Sequence, residues 1–156
     1  MHKAIQKEKL LKEQTITIFF EVGNFYEHLK NPKTSASGEL NEHRWTAFVR
    51  CRDEWYQRQF HRFVEYVKID LNDDDFRTRV HKIEPKVGKL LSLTYNGWGT
   101  VTLSIQIYWR AKTGKQGAQK MHELSHELHF GGRGRWRMVA IPFDKDVLGK
   151  WVNLKK

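Results

Sequence analysis

Apolar and polar residues alternate one for one from Val101 to Trp109, with Val101, Leu103, Ile105, Ile107 and Trp109 on one side. Thr102, Ser104, Gln106 and Tyr108 lie between them. A period of two in β-branched and aromatic residues predicts a half-buried strand, since a helix would scatter these side chains around its circumference. The same pattern recurs in residues 43–51, where Trp45, Ala47, Val49 and Cys51 share a face against Thr46, Phe48 and Arg50. In residues 63–71, Val67, Ile69 and Leu71 alternate with Tyr66, Lys68 and Asp70. Residues 15–22 form another apolar run, closed by Gly23 and Asn24.

Between these strands the pattern is weaker. Pro32, Ser35, Ser37 and Gly38 predict a loop over residues 31–40. Residues 53–61 read as a polar, aromatic-studded connection, 87–93 as weak strand material and 111–119 as a polar turn. Residues 121–130 fit helix or strand, and 136–141 fit a strand stopped by Pro142. Asp144 suits the cap of a short helix over 144–151. Strands recurring without intervening amphipathic helices predict an all-β fold, an antiparallel β-sandwich with short peripheral helices. The expected organisation is a basic arm or short helix over 1–14, a sandwich over 15–143 and a short C-terminal helix with a basic tail over 144–156.

Composition narrows the function classes. The 156 residues carry a formal charge of +10, more than solubility needs in a domain of this size, so an anionic partner such as DNA is a candidate. Arg133, Arg135 and Arg137, at alternate positions, are the residues we would assign to a DNA contact. Cys51 is the only cysteine, which rules out an intramolecular disulfide and fits a reducing compartment. At the end of an alternating strand it reads as a small buried hydrophobe rather than a nucleophile. No apolar run is long enough for a membrane span, so no membrane partner is expected.

Gly97 and Gly99 bracket Trp98 just before the long strand, a tight loop that presents an aromatic ring at a sheet edge. With this motif, four patches in order resemble the YEATS domain family. Residues 18–24, ending Val22-Gly23-Asn24, resemble its opening strand. Residues 43–50 resemble its His-x-Trp-x-x-(Phe/Tyr)-Val strand. Residues 63–76 resemble the strand leading into its Leu-His-x-Ser-(Phe/Tyr) loop. Gly97-Trp98-Gly99 is similar to its Gly-Trp-Gly signature, and the resemblance spans about residues 15–130.

The resemblance implies an immunoglobulin-like sandwich in the nucleus that reads acetyl- or crotonyl-type lysine on histone tails. It implies a subunit of a histone acetyltransferase or chromatin-remodelling complex, with no catalysis and no cofactor. Acylation converts the lysine ammonium into a flat amide that stacks on aromatic faces and needs both a donor and an acceptor. Carried over, Trp98 is one wall of the slot and Phe76 the other. Gly97 and Gly99 hold the backbone that donates to the acyl carbonyl, Asp75 accepts the amide N–H, and Asp74 and His43 complete the set. Asp73 and Asp74 would attract the basic histone tail.

This chain departs from the pattern. Asp73-Asp74-Asp75, preceded by Asn72, stands where the family has His-x-Ser, the loop is one residue longer, Val101 replaces a pocket aromatic, and the segment between Arg79 and Gly97 is longer. The alternative reading is a YEATS fold with altered or lost acyl-lysine binding that contacts DNA or partner proteins. A further rival is His122-Glu123-Leu124-Ser125-His126, which spells the H-E-x-x-H of zinc hydrolases. On a helix the two imidazoles would share one zinc. On a strand, His122 and His126 would stand too far apart along the chain, and the expected metal set is none.

Overall fold

The computed structural model describes residues 14–34, 38, 40–97, 99–110 and 120–156. Among these described residues, eight strands form two four-stranded antiparallel sheets. One sheet runs in the order β5 (Leu91–Gly97), β2 (Leu40–Cys51), β1 (Thr15–Thr34), β8 (Gly134–Asp144). The other runs β4 (Val80–Ile83), β3 (Val64–Asp70), β6 (Thr102–Trp109), β7 (Met121–Glu127). The two close face to face as a β-sandwich, as the alternating pattern predicts, of the immunoglobulin-like kind that the resemblance implies.

The alternation decides what lies between the sheets. Trp45, Ala47, Val49 and Cys51 are buried from β2, and Leu103, Ile105, Ile107 and Trp109 from β6. Phe20, Phe63, Trp109 and Phe143 pack edge and face at one end of this core, with ring centroids 4.9–6.3 Å apart. Burial pushes the Cys51 thiol well above its ordinary range, in keeping with a small hydrophobe. Phe48 points to the outer face yet is fully buried, covered by Phe25, stacked at 4.2 Å, by Trp136 and by the Arg50 guanidinium 4.9 Å from its ring.

Several expected boundaries move. Gly23 and Asn24 do not end the first strand, which continues to Thr34 and takes in part of the expected loop. Gly23 is there because β8 passes close: a Cβ would lie 2.2 Å from the Arg135 carbonyl oxygen and 2.4 Å from the Trp136 Cα. Pro142 does not stop β8, which runs on to Asp144 paired with Thr15. As an edge strand, β8 can accommodate a residue without an N–H. The weak strand expected at 87–93 lies later, at β5, and β4 was not expected at all. The expected connection holds a single helical turn, α1 (Glu54–Gln57), and the start of a second, α2 (Phe60–Phe63), which takes Phe63 out of the expected third strand. The helix α3 (Lys145–Gly149) is capped by the Asp144 carboxylate, which accepts from the N–H groups of Asp146 and Val147. Most of the expected N-terminal arm and the polar turn at 111–119 lie outside the described residues.

Candidate functional site

The loop after β3 is built from its own carboxylates. Asn72 takes a left-handed backbone (φ 54°), which asparagine tolerates better than most residues. Its N–H donates to the Asp70 carboxylate at 2.8 Å. Its side-chain amide donates to the Thr102 carbonyl at 2.9 Å and to Ser104 Oγ at 2.8 Å, pinning the loop to β6. Asp73 accepts the Asp75 N–H at 3.0 Å in an Asx turn. Arg79 closes the loop, donating to Asp70 at 2.8 Å and to Asp74 at 3.1 Å while its carbonyl accepts the Leu71 N–H. The Arg79 hydrogen bond, then that from the Asn72 backbone, holds the Asp70 carboxyl below its usual pKa.

This pinned loop faces the β5–β6 connection across a cavity of about 290 Å³. Asp73, Asp75, Phe76 and Arg77 line it from the loop, and Tyr95, Asn96, Gly97, Gly99, Thr100 and Val101 from the other side. Asn41 and Trp45 of β2 complete the lining. Trp45 is only 1% exposed, so the cavity reaches the core. Tyr95 stacks on Trp45 with centroids 5.5 Å apart and meets the Phe76 ring edge-on at 5.2 Å. The result is a cavity that brings together three aromatic rings, two carboxylates from the loop and glycine backbone from the β5–β6 connection.

The sequence candidates therefore separate. Phe76, Asp75, Asp73, Gly97 and Gly99 converge on the cavity from two distant segments. Trp98 lies outside the described residues, between the two glycines that line it. Asp74 and His43 are not among the lining residues. The Asp74 carboxylate is engaged by Arg79. His43 turns to Tyr26, hydrogen-bonded at 2.7 Å through Nδ1, and stacks on Phe130 at 4.6 Å, although its backbone pairs with Gly97. The sequence reading missed Tyr95 and Arg77 and placed Trp45 only in the core. Tyr95 shares Gly97's face of an alternating strand and pairs with Trp45, but a strand placed four residues too early hid it.

A model of the YEATS family matches residues 40–132, the stretch that contains both sides of the cavity. The chain belongs to the YEATS family. The solved YEATS domain of Yaf9 bound to H3K27ac superposes on this chain with a TM-score of 0.68, 20% identity, and coverage of 87% of this chain and 92% of that one. The Yaf9 YEATS domain recognising an H3K122suc peptide gives a TM-score of 0.66, 21% identity, and coverage of 84% and 86%. The yeast AF-9 homolog protein Yaf9 gives a TM-score of 0.64 at 21% identity, covering 86% and 90%. At that identity the likeness to Yaf9 is one of fold. No curated protein matches the chain in sequence.

The YEATS fold also disposes of the zinc motif. His122, Glu123 and His126 lie on β7, a strand, not a helix. His122 pairs with Ile107 and His126 with Leu103, which puts both on the inner face, while Glu123 pairs with Gln106 on the outer face. Four residues of strand separate the imidazoles by about 13 Å, beyond the reach of one metal ion. Each has other surroundings: burial depresses the pKa of both rings, and His126 Nε2 donates to the Asn24 side chain at 2.7 Å. Arg133, Arg135 and Arg137 follow one another at alternate positions at the edge, all exposed. Arg137 donates to the Ser125 carbonyl at 2.7 Å, bridging β8 to β7, so its guanidinium is partly committed. Positive charge on an edge strand also opposes pairing with a second chain.

Proposed function

We propose that this YEATS domain binds acylated lysine on histone tails, as a non-catalytic module of a chromatin complex in the nucleus. The observation that carries the reading is the cavity. Phe76 and Asp75 from one loop meet Gly97 and Gly99 from another around a single aromatic opening. The uncharged acyl-amide would slide between Phe76 and Trp98, its carbonyl accepting from backbone N–H at the glycine-bracketed turn and its N–H donating to Asp75. An ionised carboxylate is an acceptor only, which suits the amide N–H, and Asp75 is exposed, so it keeps its hydration. The Yaf9 domain, similar in fold, has been solved with acetylated and succinylated histone H3 peptides.

Calorimetric titration of unmodified, acetylated, crotonylated and succinylated H3-tail peptides tests the reading. A preference of about tenfold or more for an acylated peptide is expected, equivalent to about 1.4 kcal/mol. Equal affinity for all four peptides would overturn it. A second reading, contact with DNA through the same domain, is favoured by one observation. Arg133 and Arg135 are exposed and, among the described residues, form no ion pair with a carboxylate.

A further inference from the structure

The family resemblance implies a pocket aromatic at the position where this chain has Val101. Besides Phe76 and Trp45, the cavity is lined by a ring that no motif assigns. Tyr95, on the edge strand of one sheet, lies half-buried against Trp45 at 5.5 Å and edge-on to Phe76 at 5.2 Å, and lines the same cavity as Val101. Its hydroxyl is hydrogen-bonded at 2.7 Å to Nε2 of His81, on the edge strand of the opposite sheet. The His81 ring also meets the Tyr95 ring edge-on at 5.5 Å, and its Nε2 lies 3.0 Å from the Thr78 carbonyl. Tyr95 is thus held on three sides by Trp45, Phe76 and His81.

We infer that Tyr95 is a binding residue of the acyl slot, supplying from β5 the aromatic wall that Val101 does not, and that His81 is its positioning residue. This rests on the acyl-lysine reading above. Because His81 engages the phenol oxygen, what Tyr95 offers the cavity is its ring, an aromatic surface suited to the flat amide and to an uncharged acyl chain. Holding the ring in place before binding removes an ordering cost that a freely rotating tyrosine would carry. The bond also ties β4, the strand after the Phe76 loop, to β5.

The experiment is titration of unmodified, acetylated and crotonylated H3-tail peptides against wild type, Tyr95→Ala, Tyr95→Phe, His81→Ala and the double variant Tyr95→Phe/His81→Ala. Tyr95→Ala should lose about tenfold or more in affinity for the acylated peptides and leave weak binding of the unmodified peptide within about twofold. Tyr95→Phe keeps the ring and loses only the anchor, so a loss of about two- to fivefold is expected. His81→Ala should match it, and the double variant should be no worse than either single one. If Tyr95→Ala fails to fold, Tyr95→Phe and His81→Ala carry the test alone. A folded Tyr95→Ala that keeps the wild-type acyl preference overturns the inference, as do fully additive losses in the double variant. A wild type indifferent to acylation overturns the reader proposal itself, and this inference with it.

Discussion

Asn24 and His126 hydrogen-bond across the sandwich at 2.7 Å, 102 residues apart in the chain. The Asn24 amide donates to the carbonyls of Phe25 and His129, so its oxygen is the acceptor, taking both the His129 N–H and the proton on His126 Nε2. One fully buried side chain thereby joins the first strand to the end of β7. Asn24→Ala would leave a buried imidazole N–H and the His129 backbone without their partners. We expect a loss of about 2–4 kcal/mol, since each unpaired buried group costs about 1–3 kcal/mol. Urea denaturation checks it; a loss under about 1 kcal/mol would show that water replaces the asparagine.

The same pair makes stability depend on pH. Burial first, then the charges of Arg137, His129 and Arg135, depress the pKa of folded His126 below its ordinary value of 6.5. Between the two values the unfolded chain binds a proton that the folded one does not, so stability is complete above about pH 6.5 and is lost as pH falls below it. His122, depressed by burial alone, acts in the same direction. Denaturation midpoints at pH 7.5, 6.5 and 5.5 should decline towards acid by at most about 1.4 kcal/mol per pH unit for each ring. The decline should flatten in His126→Gln; an unchanged pH profile in that variant assigns the effect to other groups.

Gly23 is a packing glycine. A methyl group there would meet the backbone of β8, which no side-chain rotation relieves. Gly23→Ala should cost about 3 kcal/mol or prevent folding, at or beyond the upper end of ordinary overpacking. Gly99→Ala, with open space around its Cβ position, should leave the melting temperature nearly unchanged. Thermal melts of the two variants compare them directly.

The three adjacent aspartates should not be equivalent. Asp74 is engaged by Arg79, whereas Asp75 lines the cavity and forms no ion pair among the described residues. In titrations with an acylated histone peptide, Asp75→Asn should weaken binding by about three- to tenfold and reduce its salt dependence. Asp74→Asn should change affinity by less than about twofold. The reverse order would remove Asp75 from the site.

For the arginines, the measurement is anisotropy with fluorescent duplex DNA at two salt concentrations. Arg133→Ala/Arg135→Ala should reduce binding and flatten its salt slope by about two phosphate equivalents. No binding by wild type at low salt dismisses the contact.

How far the sequence could be read depended on the range of the forces involved. Strict alternation exposes burial directly, so the faces of β2, β3 and β6 followed from it. The sandwich followed from their recurrence. Contacts between strands left weaker traces. Nothing local marks Gly23 as a close approach rather than a stop, because the obstructing atoms belong to Arg135 and Trp136. Tyr95 was hidden for the same reason: its place at the cavity depends on pairing with Trp45 and on a hydrogen bond to His81 from the other sheet. Asp74 was expected in both the slot and the tail contact because the Arg79 that engages it follows it by several residues and reaches it only when the loop folds back.

Trp45 belongs to two structures at once. It is core, almost wholly enclosed, and it is also a wall of the cavity. A ligand that fills the cavity therefore completes the packing around a core side chain, and occupancy of the site should register throughout the sandwich. Any ligand that binds only the folded state raises its stability, by about 2.7 kcal/mol at one hundred times the dissociation constant. The domain can thus report on its own ligand: a rise in melting temperature with added peptide, absent for peptides it does not hold, would rank candidate tails without labelling either partner.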